Sequence, residues 1–229
     1  MDLFGENWEN HHEKIASSWD ASIAQDDLVL IAGDISWAMR LKEALPDLEW
    51  IDQRPGTKVL VRGNHDYWWE SLKKVREALP KSIHVIQNDC LTIGDVAIAG
   101  TRLWESAEFS FDELIDFTPG PKPPVSKNHD NEALFIKELG RLERSLQQMP
   151  EEAKIKIAMT HYPPIGNDLA PSKASELFEH YGVCLSVFGH LHSFKPGLPP
   201  LFGNARGVEY ALTSCDWLGF SPICLIANS

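Results

Sequence analysis

Lys58–Trp69, KVLVRGNHDYWW, is the stretch on which the reading of this chain turns. The apolar run Val59-Leu60-Val61 stops at Arg62-Gly63, and an amide, an imidazole and a carboxylate then arrive together as Asn64, His65 and Asp66. Gly-Asn is turn chemistry and Asp is a good helix N-cap, so a polar turn accounts for the stretch taken alone. The rest of the chain repeats the pattern in a way that a single turn does not explain.

Four apolar runs end alike. Leu28–Ala32 ends in Gly33-Asp34, and Val59–Val61 ends in Asn64-His65-Asp66. Ile155–Met159 ends in Thr160-His161, and Leu185–Phe188 ends in Gly189-His190-Leu191-His192. Ligands of open α/β sheets sit beyond the carboxyl ends of strands, so neighbouring strands would gather these side chains on one rim. Each piece has an ordinary alternative: Gly33-Asp34 as a turn, His161 as a buried hydrogen-bonded ring. Residues i and i+2 leaving a strand can face one site, which makes His190 and His192 the more telling pair. Carboxylate, amide and imidazole together suit a divalent transition metal.

Composition bounds the remaining possibilities. The chain has 229 residues, within the range of a single α/β domain over 1–229, and 43% are hydrophobic. Its formal net charge of −12 argues against binding to a phosphate backbone, though not against a local positive site. Cys90, Cys184, Cys215 and Cys224 form no C-x-x-C pair, and a reducing cytoplasm is the simplest compartment. No signal peptide and no run long enough to span a membrane is legible.

Along the chain, Trp8, Ile15, Trp19 and Ile23 mark one face of a first helix. A second helix is expected around Arg40–Ile51 with a break at Pro46, and a short one at ESLKKVREALP. SIHVIQ and CLTIGDVAIAG read as strands, the latter a hairpin turning at Gly94-Asp95. Residues 105–130 contain FTPGPKPPVSKNHD and read as a long loop; a helix over NEALFIKELGRLERSLQQM follows. ASELFEHYG is a last helix, and VEYALTSC and SPICLIANS are further strands. Alternating strands and helices, then hairpins, point to an α/β fold.

Gly33-Asp34, the GNHD of Gly63–Asp66, His161 and the GHLH of Gly189–His192 together resemble the calcineurin-like metallophosphoesterase superfamily. The resemblance implies a four-layer α/β/β/α sandwich of two mixed sheets, with a two-metal site at the rim. Carried over by position, it makes Asp34 the bridging ligand and Asn64, His161 and His190 the rest of one metal site. His192 serves the other site, His65 protonates the leaving group, and Asp66 orients His65. The metals implied are manganese, iron or zinc. The implied reaction is hydrolysis of a small phosphomonoester or phosphodiester by metal-activated water, with two cations clamping the phosphoryl oxygens. A nuclease of the same superfamily and a catalytically impaired binding protein are the rivals; the charge disfavours the first, and retention of an acid at His65 disfavours the second.

The sequence also departs from that pattern. The family opens with a strand ending in Asp-x-His, which supplies two ligands to the metal site that His192 joins. No such motif precedes Asp34 here, and His11 and His12, the only upstream histidines, fall within the first helix. The expectation is therefore a chain lacking its first strand, or a one-metal variant. About one metal per chain, weak activity and an open edge at Leu28–Ala32 follow from it. Tyr67, Trp68 and Trp69 are read either as helix packing or as a wall for a nucleobase or aryl leaving group. Arg102 is read equally as a surface ion pair or a phosphate contact.

Overall fold

The computed structural model describes residues 6–116, 128–199 and 201–227. Two sheets form. Strands β1 (Leu28–Ile31), β2 (Thr57–Val61) and β3 (Ile83–Ile86) make a three-stranded sheet in that order, parallel throughout. Six strands make the other: β4 (Cys90–Ile93), β5 (Val96–Thr101), β6 (Ile155–Thr160), β7 (Leu185–Phe188), β8 (Gly203–Ala205) and β9 (Val208–Leu212). Their order is β4-β5-β6-β7-β9-β8, mixed because β4 and β8 run antiparallel to their neighbours. Only this larger sheet is mixed, whereas two mixed sheets were expected.

Alternation along the strands stacks the layers. Val59 and Val61 on β2 join Ile157 and Met159 on β6 and Val187 on β7 in a core between the sheets. Leu60, between the two valines, turns the other way onto Leu48 and Trp68. Successive side chains of a strand point to opposite faces, so a run apolar at every position is a strand covered on both sides. Helices α1 (His11–Ser22), α2 (Leu41–Asp52) and α3 (Leu72–Ala78) cover the outer face of the small sheet. Helices α4 (Asn128–Leu146) and α5 (Lys173–His180) cover the large one. The result is an α/β/β/α sandwich. Each fully buried Val, Leu or Ile contributes about 1.5–3 kcal/mol to holding it.

Two further expectations change. Helix α2 runs unbroken through Pro46, because Ala44, Leu48 and Ile51 on either side of it are buried against the small sheet. That burial outweighs the roughly 3 kcal/mol an internal proline costs. SPICLIANS forms no strand among its described residues, and Ile223, Leu225 and Ile226 are exposed. The short strand β8 pairs with β9 instead. The Pro-rich stretch 117–127 lies outside the described residues. Strand β1 is an edge: β2 is its one partner among the described residues.

Candidate metal centre

The four predicted strand ends meet where the two sheets face each other. β1 and β2 are neighbours in one sheet, β6 and β7 in the other, and all four present their carboxyl ends to one side. Glycine lets the loops touch. A Cβ on Gly63 would lie 2.0 Å from Asp34 Oδ1, and one on Gly33 would lie 2.7 Å from His161 Nδ1. No larger residue fits either position without opening the site. Asp34 and His190 themselves hold positive φ, 56° and 69°, in the left-handed region that non-glycine residues seldom adopt. Such strain concentrates at functional positions, where the surrounding structure fixes it.

Asn64, His161 and His190 converge. Asn64 Oδ1 lies 2.7 Å from His161 Nε2 and 3.1 Å from His190 Nδ1, and the two ring nitrogens are 3.2 Å apart. Asp34 Oδ2 is 3.5 Å from His161 Nε2, while its Oδ1 accepts the His65 backbone N–H at 2.9 Å. Counting only His, Cys, Asp and Glu, no group of three among the described residues could hold a metal ion. It is the amide oxygen of Asn64, in contact with both imidazoles, that joins the set.

The chemistry of these donors fits a cation. His161 Nδ1 sits 2.8 Å from the carbonyl oxygen of Ala32, which can only accept, so the Nδ1 proton is committed there. Nε2 of a neutral ring then offers a lone pair, and that lone pair faces the Asn64 carbonyl oxygen with no proton between them. Burial keeps the ring neutral by pushing His161 down to about 3, against the pull of the Ala32 hydrogen bond. His190 falls to about 3 as well, through burial first and then the neighbouring His161. Acceptors held 2.7–3.5 Å apart suit donor atoms placed about 2.0–2.2 Å from one ion.

A pH dependence follows. Both rings have folded pKa values near 3 against an ordinary 6.5, so the unfolded chain takes up protons first on acidification. The stability from burying them neutral is complete above about pH 6.5 and is lost as pH falls toward 3. Urea midpoints of the metal-free protein should drop across that window. In His161→Gln and His190→Gln the drop should shrink; an unchanged slope would refute the burial argument.

The remaining predicted residues separate. His192 stands close enough that its charge would lower both His161 and His190. Its Nδ1 lies 2.6 Å from Asp216 Oδ1, and Asp216 Oδ2 accepts the Ser193 backbone N–H at 2.9 Å. With Nδ1–H given to that carboxylate, Nε2 of His192 is left as a lone pair, the arrangement that orients a histidine toward a metal. Asp216 was missed from the sequence. It follows β9, a fifth strand ending on the same side, and the strand-end rule would have found it had VEYALTSC been followed to the next residue.

The His65 ring stacks on Trp37, with centroids 4.8 Å apart and planes 25° from parallel. Its Nδ1 lies 3.1 Å from the Tyr67 hydroxyl. Asp66 was expected to orient this ring and is instead bonded to other groups. Fully buried, Asp66 accepts the backbone N–H groups of Asp34, Ile35, Ser36 and Gly63 and the Trp68 indole N–H at 2.7–3.1 Å. Burial pushes its carboxyl up while the Gly63 and Ser36 donors pull it down. All five of its hydrogen-bond partners are donors, so the ionised carboxylate is the form that satisfies them, against the push of burial and of the nearby Asp34 carboxylate. Asp66 therefore ties the Gly33-Asp34 loop to the Gly63-Asn64 loop, and Tyr67 is the group on the His65 ring. Trp68 and Trp69 are core residues, 0% and 4% exposed, whereas Tyr67 and Trp37 are about half exposed at 50% and 45%. His11 Nδ1 is 3.0 Å from the carbonyl oxygen of Trp8, and the Trp8 ring packs edge-on to His192.

Comparison with known proteins agrees with this geometry. Residues 6–194 match the family model for calcineurin-like phosphoesterases. The Gene 66 proteins of Mycobacterium phages L5 and D29 are 45% and 40% identical to this chain over 58 and 57 residues. Each match covers 25% of this chain and 28% of the phage protein. The family match spans most of the sandwich and all the residues that meet at the rim except Asp216, and the chain belongs to the calcineurin-like phosphoesterase family.

Proposed function

We propose that the chain hydrolyses small phosphomonoesters or phosphodiesters with a divalent ion held by Asp34, Asn64, His161 and His190. Manganese, iron or zinc suits this mixture of oxygen and imidazole donors. The observation that carries the reading is the meeting of His161 Nε2 and Asn64 Oδ1, two acceptors 2.7 Å apart that a cation reconciles. When bound, such an ion polarises phosphoryl oxygens and acidifies water. The side chains do the rest. The Ala32 carbonyl fixes the His161 tautomer, and Asp66 fixes the loop that carries Asn64 and His65. In its protonated form His65 donates Nδ1–H to the Tyr67 oxygen and keeps Nε2–H for the leaving oxygen. His192, held by Asp216, offers its Nε2 near His161 and His190.

A small substrate, rather than nucleic acid, suits a chain of net charge −12. Among the described residues no helix is long and apolar enough to cross a membrane. All four cysteines are free thiols, which favours a cytoplasmic setting. Among the described residues four donors converge on one point, so about one tightly held ion per chain is expected.

Metal analysis after dialysis against manganese, paired with hydrolysis of an aryl phosphate, tests the reading. Chelation should abolish hydrolysis and manganese should restore it. His190→Ala should lower metal affinity about tenfold or more, since losing a ligand costs at least what losing an outer-shell partner does. Hydrolysis that survives chelation, or metal content unchanged in both His161→Ala and His190→Ala, would refute it.

A further inference from the structure

Beside the candidate metal centre two guanidinium groups pair with one carboxylate and a third lies in its field. Glu138 on α4 is 2% exposed; it accepts the Thr101 O–H at 2.8 Å and pairs with Arg141 at 2.5 Å. Arg102, at the end of β5, reaches the same carboxylate only at 3.6 Å, and its side chain is 20% exposed. Arg62, the first residue beyond β2, lies in the field of Arg102, Glu138 and Arg141, and its Nε is a buried atom with no hydrogen-bond partner. Asp66 is also in range of Arg62, yet five donors already occupy its oxygens. Elsewhere Arg54, Arg76 and Arg206 each hold a carboxylate of their own, Asp20, Asp89 and Glu179. This corner thus holds a local excess of partly buried guanidinium charge in a chain of −12. Buried charges are ordinarily paired, so the excess lacks a counter-charge.

The corner is wired to the site. The Arg102 carbonyl accepts the backbone N–H groups of His161 and Tyr162 at 3.1 and 3.0 Å. Its guanidinium lies 4.4 Å over the Trp104 ring; Trp104 packs on Tyr162 at 4.9 Å, and Tyr162 on His190 at 4.0 Å. Arg62 stands two residues before Asn64. We propose that Arg62 and Arg102 form an anion subsite that takes a second anionic group of the substrate, a phosphate or carboxylate remote from the scissile ester. Guanidinium forks match both groups, and a planar fork stacked on an aromatic ring is already oriented for them. The assignment of this anion to the substrate rests on the hydrolase reading; the subsite itself does not.

Titration calorimetry with sulfate on the full chain at low ionic strength tests the subsite without reference to turnover. One sulfate should bind per chain. Arg62→Gln and Arg102→Gln should each weaken it about tenfold or more, the worth of a charge-assisted hydrogen bond. Glu138→Gln should tighten it severalfold by freeing positive charge, whereas a merely structural cluster would weaken with all three. His190→Ala should leave it intact. No saturable sulfate binding, binding indifferent to both Arg variants, or loss in His190→Ala would overturn the subsite. Turnover then identifies the source of the anion. Arg102→Gln should raise KM for an aryl phosphate carrying a distal carboxylate and spare its neutral counterpart. Equal effects on both substrates, or none on either, would overturn the substrate assignment. Absence of all hydrolysis, with sulfate binding as described, would count against the hydrolase reading and not against the subsite.

Discussion

Replacing His65 by alanine is expected to slow hydrolysis of alkyl phosphates by about 10²–10⁴-fold, the usual contribution of a positioned general acid. Aryl phosphates with good leaving groups should lose much less, since their leaving oxygens need little protonation. Metal content should be unchanged, because the His65 ring is held by Tyr67 and Trp37 and is not one of the converging donors Asn64, His161 and His190. What ties His65 to Asp34 is its backbone N–H, which alanine retains. Tyr67→Phe removes the partner of Nδ1 and leaves the ring in place, so a smaller loss of the same leaving-group pattern should accompany it. Equal loss on alkyl and aryl substrates in His65→Ala, or loss of the metal, would show that the ring is structural.

The layers were legible from the sequence because burial leaves a periodic trace. Val59-Leu60-Val61 could be read as a strand covered on both faces, since no exposed position interrupts it. The rim was legible for a related reason: Asp34, Asn64, His161 and His190 each come within three residues of the end of an apolar run. What was not legible depends on direction, not on position. Asp66 and Tyr67 follow His65 one after the other, and only the local course of the backbone sends the carboxylate inward to four backbone N–H groups and the phenol outward to the ring. Trp68 and Trp69 went to the core and Tyr67 to the surface for the same reason. Pro46 illustrates a different failure. Its local cost was read correctly, but the packing of Ala44, Leu48 and Ile51 that outweighs it is a property of the sheet beneath. Arg62 and Glu138 are 76 positions apart, and no local pattern announces that they share a corner.

Asp66→Ala should be the most damaging single change to the structure, although Asp66 touches no candidate ligand atom. Its carboxylate is fully buried, and its two oxygens accept five N–H donors. Alanine leaves those donors facing a cavity. Each buried unsatisfied donor costs about 1–3 kcal/mol, and water admitted near the half-buried Asp34 and Ile35 backbone will offset part of the sum. A net loss of about 3–5 kcal/mol is expected, in line with breaking other buried charged networks. A domain whose whole stability is about 5–15 kcal/mol feels that severely. Asp66→Asn should be intermediate. Its carbonyl can serve one cluster of donors, but its NH₂ must then confront the N–H groups of the other. The two loops that Asp66 ties together carry Asp34 and Asn64, so metal affinity should fall in both variants alongside stability, and in the same order. Urea unfolding and metal titration on the two proteins measure this directly. A loss below about 1 kcal/mol in Asp66→Ala, the worth of one ordinary hydrogen bond, would show that the donors find other partners and that Asp66 is not what joins the loops. Undiminished metal affinity in a clearly destabilised Asp66→Ala would instead show that the site holds its geometry without the tie, through the glycine contacts at Gly33 and Gly63 alone.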